Sequence, residues 1–311
     1  MINYVNTTIN GLTLRGTAYV PDNITAPVPT VLLFHGFGAV RTEYFCSFVQ
    51  ISRLLAKSGI AAIAFDFSAH GESDGTFMDF TFSNEIFEGT QLVSFVKTLD
   101  FVDENRVALL GMSLGSVAAS MVAGQLGSQI AGLCMWSPAA VFQDEILEHK
   151  TLQGKSIASV SEQGYFDFNS MKLGAAFFED LKTVAIYDTA VNYQGPVKII
   201  HGGSDMIAPV AYAQKYVTTY RQSADLTVVA NADHSWGDVQ TRETLFNATL
   251  AFLINYINKD VIEPRMGKLG YTLKDVAERA GVSLTTVSRV INKRGYFSEK
   301  PSRVFIQRCK K

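Results

Sequence analysis

The chain is short of cysteine, of histidine and of long apolar runs, and each shortage narrows what it can be. No stretch of about 18 consecutive apolar residues occurs, so no transmembrane helix is expected. The three cysteines, Cys46, Cys134 and Cys309, are odd in number and far apart. That spacing fits neither a disulfide framework nor a zinc site. Cys46 and Cys134 read as core residues. No cluster has metal-ligand spacing, so neither a metal nor a cofactor is expected. Residues 1–6 carry no basic region and no apolar core of a secretory leader. Cytoplasm is therefore the expected compartment, and the sequons at Asn6, Asn23 and Asn247 carry little weight. Internal repeats and low-complexity tracts are absent.

What remains is an ordinary globular composition, 47% hydrophobic and 18% charged over 311 residues. That length suits one large domain and a small one. The net charge of -2 conceals a division. Residues 1–260 hold 15 Lys and Arg against 25 Asp and Glu, a balance of -10. Residues 261–311 hold 12 against 4, a balance of +8. The second segment is expected to be a separate module with a different partner, nucleic acid among the candidates.

The first 260 residues alternate strand and helix signals. Apolar runs at 31–34, 61–66, 106–110, 131–136, 197–200 and 226–229 read as strands, those at 31–34, 106–110 and 197–200 as buried ones. Residues 12–20 read as an opening antiparallel strand. Helical segments fall at 44–57, 83–98 and 241–257. Continuous apolar strands separated by helices predict an α/β fold with a mostly parallel sheet covered on both faces. The alternation fails between residues 138 and 196, apart from a helical run near 173–184. A connection that long is usually functional, with a packing decoration as the plainer alternative.

Gly111-Met112-Ser113-Leu114-Gly115 lies between the strand at 106–110 and a helix rich in small residues at 116–123. G-x-S-x-G in a strand–turn–helix setting is a nucleophile elbow, whose turn is too tight for side chains on either flank. The N-terminus of the helix aims backbone N–H groups where negative charge would develop. A serine hydroxyl needs a base, and the base needs a carboxylate to orient it. Asp205 follows the strand at 197–200, and His234 follows the strand at 226–229. Ser113, Asp205 and His234 thus all sit at the carboxyl edge of the sheet, where open α/β sheets bind ligands. The N–H groups of Phe37, in His35-Gly36-Phe37-Gly38, and of Leu114 are the candidate oxyanion donors.

The chain has five histidines, so the candidates for the base are few. His35 reads as support for the oxyanion loop, His70 as structural in a polar turn, His201 as a satisfied buried residue and His149 as exposed. Asp66 ends a strand before the nucleophile, and Asp233 reads as a turn residue. Ser116 lies in the helix, away from the sheet edge.

These motifs occur together with Phe65-Asp66-Phe67-Ser68-Ala69-His70-Gly71-Glu72-Ser73-Asp74-Gly75 and Ser137-Pro138-Ala139-Ala140. As a set they resemble the bacterial cinnamoyl (feruloyl) esterase branch of the α/β-hydrolases over about residues 8–258. The resemblance implies an α/β-hydrolase fold and a serine carboxylic ester hydrolase working through an acyl-enzyme on a small ester. It also implies a lid insertion at about residues 138–190 that shapes a pocket for an aromatic acid. Asp144 or Glu145 would contact a phenolic hydroxyl there, and Phe177 stands where a tyrosine is more familiar. Met112 and Leu114 replace the histidine and glutamine common in that branch, which changes the polarity of the pocket. Lipase, thioesterase or peptidase specificity on the same three residues stays open, as does a homodimer.

Residues 271–292 read as helix, turn, helix. Thr272 caps the first helix, Gly281 makes the turn and Ser283 caps the second. The segment resembles the DNA-binding headpiece of the lactose-repressor (LacI/GalR) family, which would set Leu284, Thr285 and Arg289 against base edges. No effector-binding core accompanies it, and Pro301 interrupts the expected third helix. Three readings follow: an esterase with its own DNA-binding module, an esterase carrying a truncated regulator fragment, or a transcription regulator with a hydrolase-like sensing domain. The fragment is preferred over the module, since one isolated headpiece lacks dimer geometry and binds DNA weakly through about 271–300.

Overall fold

A computed structural model describes residues 1–258 of the chain. The readings made of 261–311, including Leu284, Thr285 and Arg289, lie outside the described residues.

The chain opens with a hairpin of β1 (Ile2–Ile9) and β2 (Leu12–Tyr19). Its turn is Asn10-Gly11, with φ of 50° and 81°, the left-handed pair that a two-residue loop requires. Next come β3 (Val28–Phe34), α1 (Ser47–Lys57), β4 (Ala61–Phe65) and α2 (Phe82–Val96). They are followed by β5 (Val102–Met112), α3 (Leu114–Leu126) and β6 (Leu133–Trp136).

The stretch after β6 is a string of short pieces. It begins with α4 (Val141–Asp144) and a π-turn at Glu145–His149. A hairpin of β7 (Thr151–Leu152) and β8 (Lys155–Ser156) leads to α5 (Ser159–Gln163). A second hairpin, β9 (Tyr165–Phe168) with β10 (Met171–Gly174), runs into α6 (Ala175–Asp180) and α7 (Ile186–Ala190). The core resumes with β11 (Val197–Gly202), α8 (Val210–Tyr220), β12 (Ala224–Val229) and α9 (Val239–Ile257).

The eight-stranded sheet has the order β1-β2-β4-β3-β5-β6-β11-β12. The hairpin pairs antiparallel onto β4, and the pairings from β4 to β12 are all parallel. Alternate residues of one strand serve opposite faces. Leu32, Phe34, Val107 and Leu109 enter the core that also holds α3 residues Val117 and Val122. Val31, Leu33, Ala108 and Leu110 enter the other core with α1 and α9, at Phe48, Ile51, Leu245 and Leu253. Burial on both faces is why these strands read as unbroken apolar runs.

Three expectations are corrected. The run near 173–184 is strand to Gly174 and helix only over Ala175–Asp180. β1 precedes the strand taken as the opening one. Cys134 is buried, but Cys46 is exposed, because its left-handed φ of 54° turns the chain outward there.

Candidate active site

The site begins with the approach of α3 to the sheet. The first ten residues of α3 are all buried. A side chain on Gly115 would strike the carbonyls of Phe34 and His35, and one on Gly111 would strike the backbone of Gly115. With both positions bare, the turn closes and Ser113 is held at φ 56°, ψ -119°. Its N–H donates to the Trp136 carbonyl at 2.9 Å, which ties the elbow to β6. Ser116 lies beneath, where its hydroxyl donates to the Gly111 carbonyl at 2.6 Å.

The hydroxyl of Ser113 lies 2.9 Å from Nε2 of His234. Nδ1 of His234 lies 2.7 Å from Oδ2 of Asp205. Asp205 follows β11, and His234 follows β12. The other oxygen of Asp205 accepts from the N–H groups of Ile207 and Ala208 at 2.9 and 2.8 Å. Burial pushes the Asp205 pKa up. The hydrogen bond and charge of His234 and the two backbone donors outweigh it, so the carboxyl is held below its ordinary range. An ionised Asp205 keeps the proton of a neutral His234 on Nδ1 and leaves Nε2 free to accept from the serine.

The remaining histidines are engaged elsewhere. Burial lowers the pKa of His35 to about 4. Its Nδ1 donates to the Gly36 carbonyl at 2.9 Å, and its Nε2 accepts from Phe67 N–H at 3.1 Å. His70 is structural, as expected, and buried: its Nδ1 donates to the Ser68 carbonyl at 3.0 Å, its Nε2 accepts from Gly38 N–H at 3.3 Å, and Phe77 and Phe80 lie edge-on at 5.2 and 5.0 Å. Burial, with the neighbouring His35 second, lowers its pKa to about 3. His201 donates from Nε2 to the Ala208 carbonyl at 2.7 Å, while its buried Nδ1 has no partner. His149 is exposed. Asp66 is buried and bonded to the backbone and side chain of Arg41. Asp233 accepts from Gly237 N–H, as a turn residue does.

Two backbone donors flank the serine. Among the described residues neither Phe37 N–H nor Leu114 N–H has a hydrogen-bond partner, and both residues line the cavity at Ser113. The Phe37 ring packs against Phe168 at 4.5 Å and stacks on Phe177 at 5.2 Å. The cavity is narrow and is otherwise lined by Ala139, Val141, Phe142, Glu145, Leu152, Gln153, Phe177 and Ile207. Of the two acids expected there, Glu145 lines it. Asp144 does not: its carboxylate accepts the Tyr212 hydroxyl at 2.6 Å. Phe177 lines it and is fully buried.

A sequence model of the alpha/beta hydrolase family matches residues 31–248. The chain belongs to the alpha/beta hydrolase family. A model of the bacterial regulatory proteins of the lacI family matches residues 272–304. Among solved structures, Est1E from Butyrivibrio proteoclasticus with ferulic acid bound is 24% identical, with a TM-score of 0.75 over 82% of this chain and 99% of that one. Mouse alpha/beta hydrolase domain-containing protein 10 is 17% identical, with a TM-score of 0.65 over 81% of this chain and 98% of that one. At these identities the likeness is one of fold. The thiohydrolase apmlB of Arthrinium phaeospermum is 32% identical over 119 residues, which is 38% of this chain and 36% of that protein.

This alpha/beta hydrolase also contains elements that the sequence reading did not name. Gln153, from the turn between β7 and β8, lines the cavity beside Glu145, whose Oε2 accepts its N–H at 2.9 Å. Trp236 donates from its indole to Ser137 at 3.1 Å and so fastens the histidine loop to the end of β6. Glu43 is a buried carboxyl in the cleft that contains Ser113 and His234. Burial, against the opposing pull of two backbone N–H bonds, pushes its pKa up to about 7. No residue-type pattern announces any of the three. No group of His, Cys, Asp and Glu suited to a metal occurs among the described residues.

Proposed function

We propose that this chain is a serine carboxylic ester hydrolase that works through an acyl-enzyme. The observation that carries the reading is the unbroken relay from Ser113 through His234 to Asp205, at 2.9 and 2.7 Å. The Ser113 hydroxyl oxygen attacks the ester carbonyl carbon while His234 Nε2 takes its proton. The carbonyl oxygen becomes an oxyanion bonded to the N–H groups of Phe37 and Leu114. Collapse breaks the bond to the alcohol, which leaves with the proton from Nε2. A water then repeats the sequence on the acylated serine and releases the acid. Asp205 stays ionised throughout and stabilises the imidazolium.

The acyl group we assign is a small aromatic acid of the hydroxycinnamate type. The narrow cavity walled by Phe37, Phe142 and Phe177 supports this, as does the presence of ferulic acid in a protein of the same fold. Glu145 is the acceptor proposed for a phenolic hydroxyl. The partial match to a thiohydrolase makes an acyl thioester the competing substrate. The test is a panel of methyl ferulate, methyl cinnamate, p-nitrophenyl acetate and a cinnamoyl thioester, each with the natural chain and with Ser113→Ala. The reading requires Ser113→Ala to lose turnover on every ester, and ferulate to be preferred over acetate by kcat/KM. Undiminished turnover by Ser113→Ala would refute it.

A second, separate activity is proposed for the basic C-terminal segment: weak, salt-sensitive DNA binding with Leu284, Thr285 and Arg289 toward the bases. The lacI-family match at 272–304 and the charge balance of +8 support it. A gel shift at stated salt, with and without residues 261–311 and with Arg289→Ala, decides the matter. Identical mobility in all three would dismiss it.

A further inference from the structure

The segment from β3 to α1 is bent more sharply than its residue types favour. Glu43, Phe45 and Cys46 all have positive φ, of 58°, 54° and 54°, and ψ of Glu43 is 170°. The Glu43 combination is close to glycine-only, while Phe45 and Cys46 are left-handed, and such strain persists where the surroundings enforce it. Its effect is to turn the Glu43 side chain inward. Oε2 accepts from Gly36 N–H at 2.7 Å, and Oε1 lies 3.3 Å from Tyr44 N. Among the described residues no cation is paired with this carboxyl, so its partners are backbone amides.

Gly36 stands between the carboxyl and the serine. A Cβ placed on it would lie 3.3 Å from Cβ of Ser113 and 3.6 Å from Oε1 of Glu43. Both polar groups of Gly36 are then held. Its N–H goes to Glu43. Its carbonyl accepts from Ala39 N–H at 3.1 Å and from His35 Nδ1 at 2.9 Å. Amide N–H and C=O are antiparallel across a planar peptide. A fixed Gly36 carbonyl therefore fixes the opposite direction of Phe37 N–H.

We infer that Glu43 is a positioning residue: its carboxyl locks Gly36, and through Gly36 it keeps Phe37 N–H aimed at the oxyanion above Ser113. The inference rests on the esterase reading. It adds the group that pre-organises one of the two donors. Arg242 buttresses the same strap, with its guanidinium over the Phe45 ring at 5.1 Å and a bond from Nε to the Trp236 carbonyl at 2.9 Å. The strap is thereby joined to the loop that carries His234.

The test uses the full chain on an ester it turns over. A misaimed donor weakens the transition state and leaves ground-state binding of the acyl group largely alone. Loss of a whole oxyanion donor costs about 100- to 1,000-fold in kcat. We therefore expect Glu43→Ala to lower kcat about 10- to 100-fold with KM within about threefold. Glu43→Gln keeps an oxygen to accept from Gly36, and it recovers most of that loss. Should Glu43→Ala fail to fold, Glu43→Asp replaces it. Its charge is intact but its reach is one methylene short, so positioning predicts a kcat loss there too. A kcat within twofold of the natural chain for Ala or Asp overturns the inference. So does a Gln variant no better than Ala, which would point to direct proton transfer by Glu43. If the natural chain hydrolyses no ester at all, the esterase reading fails instead, and the two failures are told apart.

Discussion

Glu43→Gln should make the protein more resistant to unfolding as the pH rises. Burial raises the Glu43 pKa from 4.5 to about 7 in the native state, while in the unfolded chain the carboxyl returns to its ordinary value. Between those two values the native state binds more protons than the unfolded one. Stability is therefore fully present below the unfolded pKa and is lost as the pH climbs through the native one. A shift of that size is worth about 3 kcal/mol between pH 4 and pH 8, most of it between pH 5 and 7. Glutamine removes the ionisation. It also sets an amide nitrogen near Tyr44 N–H, which adds a cost that does not vary with pH. The quantity to read is thus the change across pH, with every other titrating group common to both chains. Urea unfolding of the two proteins at unit steps from pH 4 to pH 8 measures it. The stability of Glu43→Gln relative to the natural chain should climb by about 2–3 kcal/mol over that span. Parallel curves, or a relative stability that falls with pH, would show that the carboxyl ionises freely and that its burial has been misjudged. The expected result describes a residue retained at a cost in stability, as positioning groups near reacting atoms often are.

The same physics separates what the sequence revealed from what it hid. Ser113 and Asp205 were legible because each follows a strand whose closing residues are buried on both faces, which leaves an apolar run. His234 follows β12, a half-exposed strand at the sheet edge, and was legible only from its place after the last apolar run. β1 was missed because Asn6 and Thr8 stand on its exposed face and Asn3 and Thr7 on its half-buried one, so no apolar alternation shows, although the Asn10-Gly11 pair was a hairpin signal in plain view. The lid eluded pattern reading for a different reason. Its helices run four to six residues and its strands two to four, too short to repeat a period. Cys46 sits between Phe45 and Phe48, so its type reads as core, yet the kink turns it outward. Glu43 acts on a backbone N–H seven residues away through a conformation that no residue type there favours. Nothing local encodes that bond. Asp144 was assigned by resemblance to the pocket, and it was the neighbouring tyrosine on α8 that claimed it.

Further outcomes follow from the packing. The ring signals of His35 and His70, whose pKa values burial lowers to about 4 and about 3, should stay in the neutral form by NMR down to about pH 5. The unfolded chain takes up their protons below its higher pKa, so these two residues cost stability as the pH falls from the histidine range toward 4. Gly115→Ala should destabilise by about 2–3 kcal/mol or prevent folding, since its methyl meets the carbonyls of Phe34 and His35; urea midpoints check it. Arg41→Met strands the fully buried Asp66 without its cation and should cost about 3 kcal/mol by the same assay.

The central claim is that one hydroxyl, on Ser113, carries the acyl group between substrate and water. Intact mass measurement after acid quench during turnover of a slow aromatic ester addresses it directly. The account predicts one acyl increment, mapped to the peptide containing Ser113 and absent from Ser113→Ala. An acyl group found on another residue, or steady turnover by Ser113→Ala, would contradict it.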